Sequence, residues 1–154
     1  MDPVEKKVNG NLLVSFPNTF TWKINDVSKM VIGKYIFSES FFFNGIWYKL
    51  QAGRIRWERE DGPAFTIFLS VDLEKNRIKP DDQYLIKVQS NFIFHNVQTG
   101  LKVELRQPSK DTFMNGAREL GYFDAFKQSW EELTSKNSLY VNSEDQLSIS
   151  VSLE

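Results

Sequence analysis

The amino-acid sequence predicts an all-β fold, an antiparallel β-sandwich of seven to eight strands with one short helix near residues 123–133. Three observations predict it. Apolar residues recur at every second position through much of the chain, the period of a half-buried strand. Thirteen Phe, five Tyr and four Trp supply the bulky side chains that favour strands and fill sandwich cores. Turn residues cut the apolar runs into short pieces, which fits antiparallel rather than parallel sheets.

The elements follow in order. Residues 1–17 are polar, contain Pro3, Gly10 and Pro17, and read as a flexible leader, leaving 18–154 as the domain. Phe20, Trp22 and Ile24 share one strand face, with Thr19, Thr21 and Lys23 on the other. An aromatic block at 35–43 leads to Asn44-Gly45, a hairpin signal, and then to a strand over 47–57. Phe65, Ile67, Leu69, Val71 and Leu73 alternate with Thr66, Phe68, Ser70 and Asp72. Tyr84, Ile86, Val88, Phe92 and Phe94 share one parity, and Leu101, Val103 and Leu105 form a further short strand. Phe123, Phe126, Trp130 and Leu133 fall at helical spacing, so two to three amphipathic turns are expected there. Residues 139–141 and 147–153 close the chain as a strand pair, with Ser148, Ser150 and Ser152 facing outward.

Composition removes several functional classes. A length of 154 residues fits one domain with its own core. A net charge of −1 gives no electrostatic basis for a nucleic-acid or anionic-membrane partner. No apolar run approaches the roughly 20 residues of a membrane span. With no cysteine, disulfides, thiolate metal sites and a cysteine nucleophile are excluded. The single histidine, His95, is placed by its parity on the outer face and makes no usual zinc site. The carboxylate pairs at 60–61, 81–82, 131–132 and 144–145 lie in loops or on the expected helix, where they solvate the surface. Arg54, Arg56 and Arg59, interleaved with acidic residues, are explained as charges guarding an edge strand. No phosphate loop or nucleophile elbow occurs, so neither an enzyme nor a cofactor is expected. The polar start, the lack of cysteine and the absence of a glycosylation triplet point to the cytoplasm or nucleus.

Five segments, in order, resemble the MATH domain, the meprin and TRAF-C homology fold. They are Phe20-Thr21-Trp22-Lys23-Ile24-Asn25; Ile36-Phe37-Ser38-Glu39-Ser40-Phe41 with Asn44-Gly45 and Trp47; Phe68-Leu69-Ser70-Val71-Asp72-Leu73; Phe92-Ile93-Phe94-His95-Asn96; and Leu139-Tyr140-Val141-Asn142 through Leu147-Ser148-Ile149-Ser150-Val151. The likeness spans roughly residues 18–153. It departs at Leu120-Gly121-Tyr122-Phe123, where the family often carries Trp-Gly-Phe and Leu120 stands for the Trp.

The resemblance implies an eight-stranded sandwich that recognises a short linear peptide of another protein, laid along an exposed strand by β-augmentation. It also implies an adaptor or substrate-recognition role, in the ubiquitin pathway or in receptor signalling, through attached domains. Carried over by position, it implies a peptide site of Asp72, Phe68, Phe92, Phe113, Leu120, Gly121, Tyr122 and Phe123. The residues themselves leave alternatives open. Phe92 has core parity, Phe113 is either a plug over the sandwich end or an exposed platform, and Tyr122 either meets a peptide carbonyl or caps the core. Lys102 and Arg106 are read as outward charges near the groove. A carbohydrate-binding sandwich is the alternative, since it too uses exposed aromatics on a β face. Residues 1–18 are too short and polar for the coiled coil that trimerises TRAF-type members, so a monomer or weak dimer is expected.

Overall fold

The computed structural model describes residues 8–56, 62–100, 102–106, 112–115 and 117–154. Among these, the strands are β1 (Asn11–Ser15), β2 (Thr19–Ile24), β3 (Tyr35–Phe37), β4 (Phe41–Phe43), β5 (Ile46–Ile55), β6 (Ala64–Val71), β7 (Leu85–Lys87), β8 (Ser90–His95), β9 (Lys102–Arg106), β10 (Thr112–Met114), β11 (Glu119–Tyr122) and β12 (Leu147–Leu153). One α-helix, α1, spans Trp130–Leu133.

Two five-stranded antiparallel sheets form a sandwich. The first runs β1-β2-β12-β8-β9; the second runs β11-β6-β5-β3, with β4 also paired to β5. Strands β7 and β10 make a separate two-stranded ribbon. The predicted alternation explains the core. Phe20, Trp22 and Ile24 of β2 and Leu147, Ile149, Val151 and Leu153 of β12 join Leu50 of β5 and Phe65, Ile67, Leu69 and Val71 of β6 in one buried cluster. Asn44 and Gly45 both take positive φ, 49° and 87°, and form the two-residue turn that pairs Phe43 with Ile46.

Five expectations need correction. First, residues 8–17 belong to the domain rather than to a flexible leader. Strand β1 pairs along its whole length with β2, and Asn9 is clamped: its N–H donates to Phe37 O, its side chain exchanges hydrogen bonds with the backbone of Asn25, and its carbonyl accepts from Trp22 Nε1 at 2.7 Å. Residues 1–7 lie outside the described residues.

Second, the helix covers Trp130–Leu133 and not 123–133. Lys127 takes a φ of 52°, Ala125 N–H bonds to Phe65 O, and Ser129 caps the helix by accepting from Glu132 N–H. The helical spacing of the aromatics is satisfied differently. Phe123 turns to one face of the β6 sheet against Phe68, while Phe126 packs on Phe65 and Phe94 at the end of the core.

Third, the apolar run 84–94 is split. Its first part, β7, pairs with β10 and its second, β8, joins β12 and β9. Fourth, residues 139–141 contribute a single bridge, Val141 to Leu147, rather than a strand. Fifth, β5, which carries Arg54, sits between β6 and β3 and is no edge. Arg54 instead lays its guanidinium 4.9 Å from the Trp130 ring centroid and donates to Met30 O. Arg59 lies outside the described residues.

Candidate functional site

Among the described residues, strand β11 ends its sheet. It pairs with β6 on one side, Glu119 opposite Ser70 and Gly121 opposite Phe68. Side chains alternate across a strand, so the outer face of this sheet can be read from the register. Lys49, Ser70 and Glu119 form one cross-strand row. Phe37, Gln51, Phe68 and Gly121 form the next, and Tyr35, Gly53 and Thr66 the third. Phe123 follows β11 onto the same face.

The rows are chemically graded. At one end Phe68 meets Phe123 edge-on, 5.1 Å between centroids, and lies 6.5 Å from Tyr35. Thr66 Oγ1 donates to Phe123 O at 2.8 Å and holds this end of β11 to β6. In the middle Gln51 Nε2 donates to Glu119 Oε1 at 3.0 Å, a cross-strand polar tie. Burial, and then the Glu119 charge, push the Tyr35 hydroxyl above its ordinary range. At the far end Lys49 Nζ sits 4.9 Å from the Phe37 ring centroid. An open pocket of about 430 Å³ adjoins it, lined by Ser38, Ser40, Lys49, Asp72 and Lys75 among others.

Of the eight residues carried over by position, three share this face: Phe68, Gly121 and Phe123. Phe123 is 40% exposed, whereas Phe68 is buried under its neighbours. Asp72 lies at the end of β6 and is itself buried. Its carboxylate accepts from Ser40 Oγ and from Lys75 N–H, and so caps the turn that follows β6. Leu120 and Tyr122 have the opposite parity. Leu120 is buried in the core, and Tyr122 packs its ring against Phe92 at 5.8 Å, where burial raises its hydroxyl pKa. Phe92 and Phe113 are fully buried, Phe113 against Tyr48, so Phe113 is a plug and not a platform. Leu120, Phe92 and Phe113 offer no surface to a ligand, whereas Tyr122 is partly buried against the core. Lys102 is on β9 in the opposite sheet, beside His95, and so lies away from this face. Arg106 ends the same strand.

Sequence reasoning missed Tyr35, Lys49, Gln51 and Glu119. A signal for two of them was present: Lys49 and Gln51 alternate with Leu50 and Ala52, which marks them as outward residues of a strand. His95 falls on the outer face of the other sheet. Its Nε2 is 2.7 Å from Ser150 Oγ, which is 2.7 Å from Thr21 Oγ1, and burial followed by the Lys102 charge lowers its pKa.

No family model matches the chain, and no curated protein sequence matches it either. The fold is similar to a solved structure. TRAF5 of Notothenia coriiceps superposes with a TM-score of 0.55 over 89% of this chain and 73% of that one, at 11% identity. The chain therefore has a TRAF-like β-sandwich fold.

Proposed function

We propose that this domain is a protein-interaction module that binds a short extended peptide along the outer edge of β11. The observation that carries the reading is the position of β11: among the described residues it ends a sheet, and the outer face next to it presents Phe123, Tyr35 and Glu119 over the buried Phe68. A ligand strand added there makes main-chain hydrogen bonds to β11 and lowers alternate side chains onto that face. Phe123, 40% exposed, is the aromatic surface that a ligand side chain meets there, with Phe68 buried behind it. The similarity in fold to TRAF5 supports a protein-interaction or adaptor role; we propose further that this role lies in signalling or the ubiquitin pathway, in the cytoplasm or nucleus, without catalysis by this domain.

A peptide array followed by titration calorimetry tests this. Phe123→Ala is expected to weaken binding by about tenfold or more with little change in melting temperature, because Phe123 is half exposed. Hits on a glycan array together with none on the peptide array would instead favour a carbohydrate-binding sandwich. Equal affinity of the wild type and Phe123→Ala for a selected peptide would remove the mapped face.

A further inference from the structure

We infer that β1 is a self-association edge through which two copies of the chain join their β1-β2-β12-β8-β9 sheets into one continuous sheet. Strand β1 is the terminal strand of its sheet, and among the described residues no strand pairs with its outer side. Terminal strands are commonly guarded by charge, proline or a bulge against such pairing. The other end of the same sheet follows that rule: β9 carries Lys102, Glu104 and Arg106 in five residues. Strand β1, Asn-Leu-Leu-Val-Ser, carries neither a charge nor a proline. It also exposes apolar side chains that a solitary domain has no reason to show water: Leu13 is 63% exposed, Val14 67% and the adjoining Phe16 98%.

The order of residues along β1 favours a second copy of the same strand as its partner. A two-fold axis demands that the strand complement itself when reversed. With the axis at Leu13, antiparallel pairing sets Leu13 against the Leu13 of the second copy, both on the outer face. Leu12 then meets Val14 on the inner face, apolar against apolar. Asn11 meets Ser15, both exposed and both able to hydrogen bond. Phe16 falls opposite Gly10, which has no side chain to obstruct the ring and is pressed against the Lys23 carbonyl of its own β2. Within the strand every position thus finds a partner of its own kind, and no charge opposes another. A five-residue edge buries far less than the roughly 800 Å² per partner of a standard interface, so the dimer is weak and depends on concentration. This surface lies on the sheet opposite to β11 and does not depend on the peptide-binding reading.

Sedimentation equilibrium from about 10 μM to about 1 mM tests the inference. The weight-average mass is expected to climb from 18.0 kDa towards twice that value across the range. Leu13→Lys sets two ammonium groups opposite each other at the axis and is expected to weaken the dimer by about tenfold or more, with its melting temperature unchanged because Leu13 is exposed in one copy. Mixing Leu13→Lys with Leu13→Glu restores association between the two variants. A mass of 18.0 kDa throughout, as when residues 1–7 of the same chain cover the edge, overturns the proposal. So does a dimer that Leu13→Lys leaves intact.

Discussion

A Cβ atom on Gly121 would lie 1.9 Å from the carbonyl oxygen of Ile67 and 2.7 Å from Cα of Phe68. Backbone atoms of a central strand cannot move aside, so β11 approaches β6 this closely only because residue 121 is glycine. Gly121→Ala is expected to push β11 off β6 and to destabilise the domain by about 2 kcal/mol, in the range of overpacked cores. Hydrogen exchange should rise at the β11 amides and much less at β2 and β12. Under the proposed function the same substitution also abolishes peptide binding, since the docking strand is displaced.

The sandwich was legible because a core face writes a period of two into the sequence: Phe20, Trp22 and Ile24 of β2, Phe65, Ile67, Leu69 and Val71 of β6 and Leu147, Ile149, Val151 and Leu153 of β12 carry it, although β6 is buried on its other face too. What was not legible depends on distant pairing. Phe113 sits in a polar tract, and its burial follows from pairing β10 with β7, some 27 residues away. The break between β7 and β8 is likewise set by partners and not by local composition. The face around β11 combines Tyr35, Gln51, Phe68 and Glu119 from four strands, so no single segment displays it. The helical spacing of Phe123 and Phe126 misled for a related reason. Two layers, not one helix face, receive these side chains.

Asp72 acts within the fold. Its carboxylate holds Ser40 Oγ and Lys75 N–H, while its carbonyl accepts from Asn76 Nδ2. Asp72→Ala leaves Ser40 Oγ and Lys75 N–H without their acceptor and is expected to cost about 1–3 kcal/mol. Urea unfolding should show the lowered midpoint with an unchanged slope. Asp72→Asn keeps one carbonyl acceptor and should lose less. A variant as stable as the wild type would mean that the carboxylate is not needed to fasten this turn.

Asn9 ties the start of the chain to both sheets. It bonds to Asn25 next to β2, to Trp22 within β2 and to Phe37 of β3. Asn9→Ala removes the two side-chain bonds to Asn25 and is expected to lower stability by about 1–3 kcal/mol. A deletion of residues 1–17 removes the backbone bonds and β1 as well, so it should destabilise the domain further. Thermal unfolding of the two variants beside the wild type gives the order directly. A truncated domain that melts at the wild-type temperature would return residues 8–17 to the role of a dispensable leader.

Tyr48 makes the fold sensitive to alkali. Its side chain is buried between the sheets against Phe41 and Phe113, and that burial pushes its hydroxyl pKa up to about 12 from 10.0. Ionisation places a charge where water is excluded, so the folded state keeps the proton that the unfolded state releases. The sign follows. Below pH 10 both states are protonated and the contribution is complete; between pH 10 and 12 the unfolded state alone loses its proton and stability falls as pH rises. The loss from this group is on the order of 2–3 kcal/mol across that window. Tyr35 and Tyr122 are shifted in the same direction and add to the slope. Tyr48→Phe has no proton to lose, so its stability should decline less steeply above pH 10 than that of the wild type. Guanidinium unfolding at pH 8, 10 and 11 measures this, and parallel declines in the two proteins would refute a contribution from Tyr48.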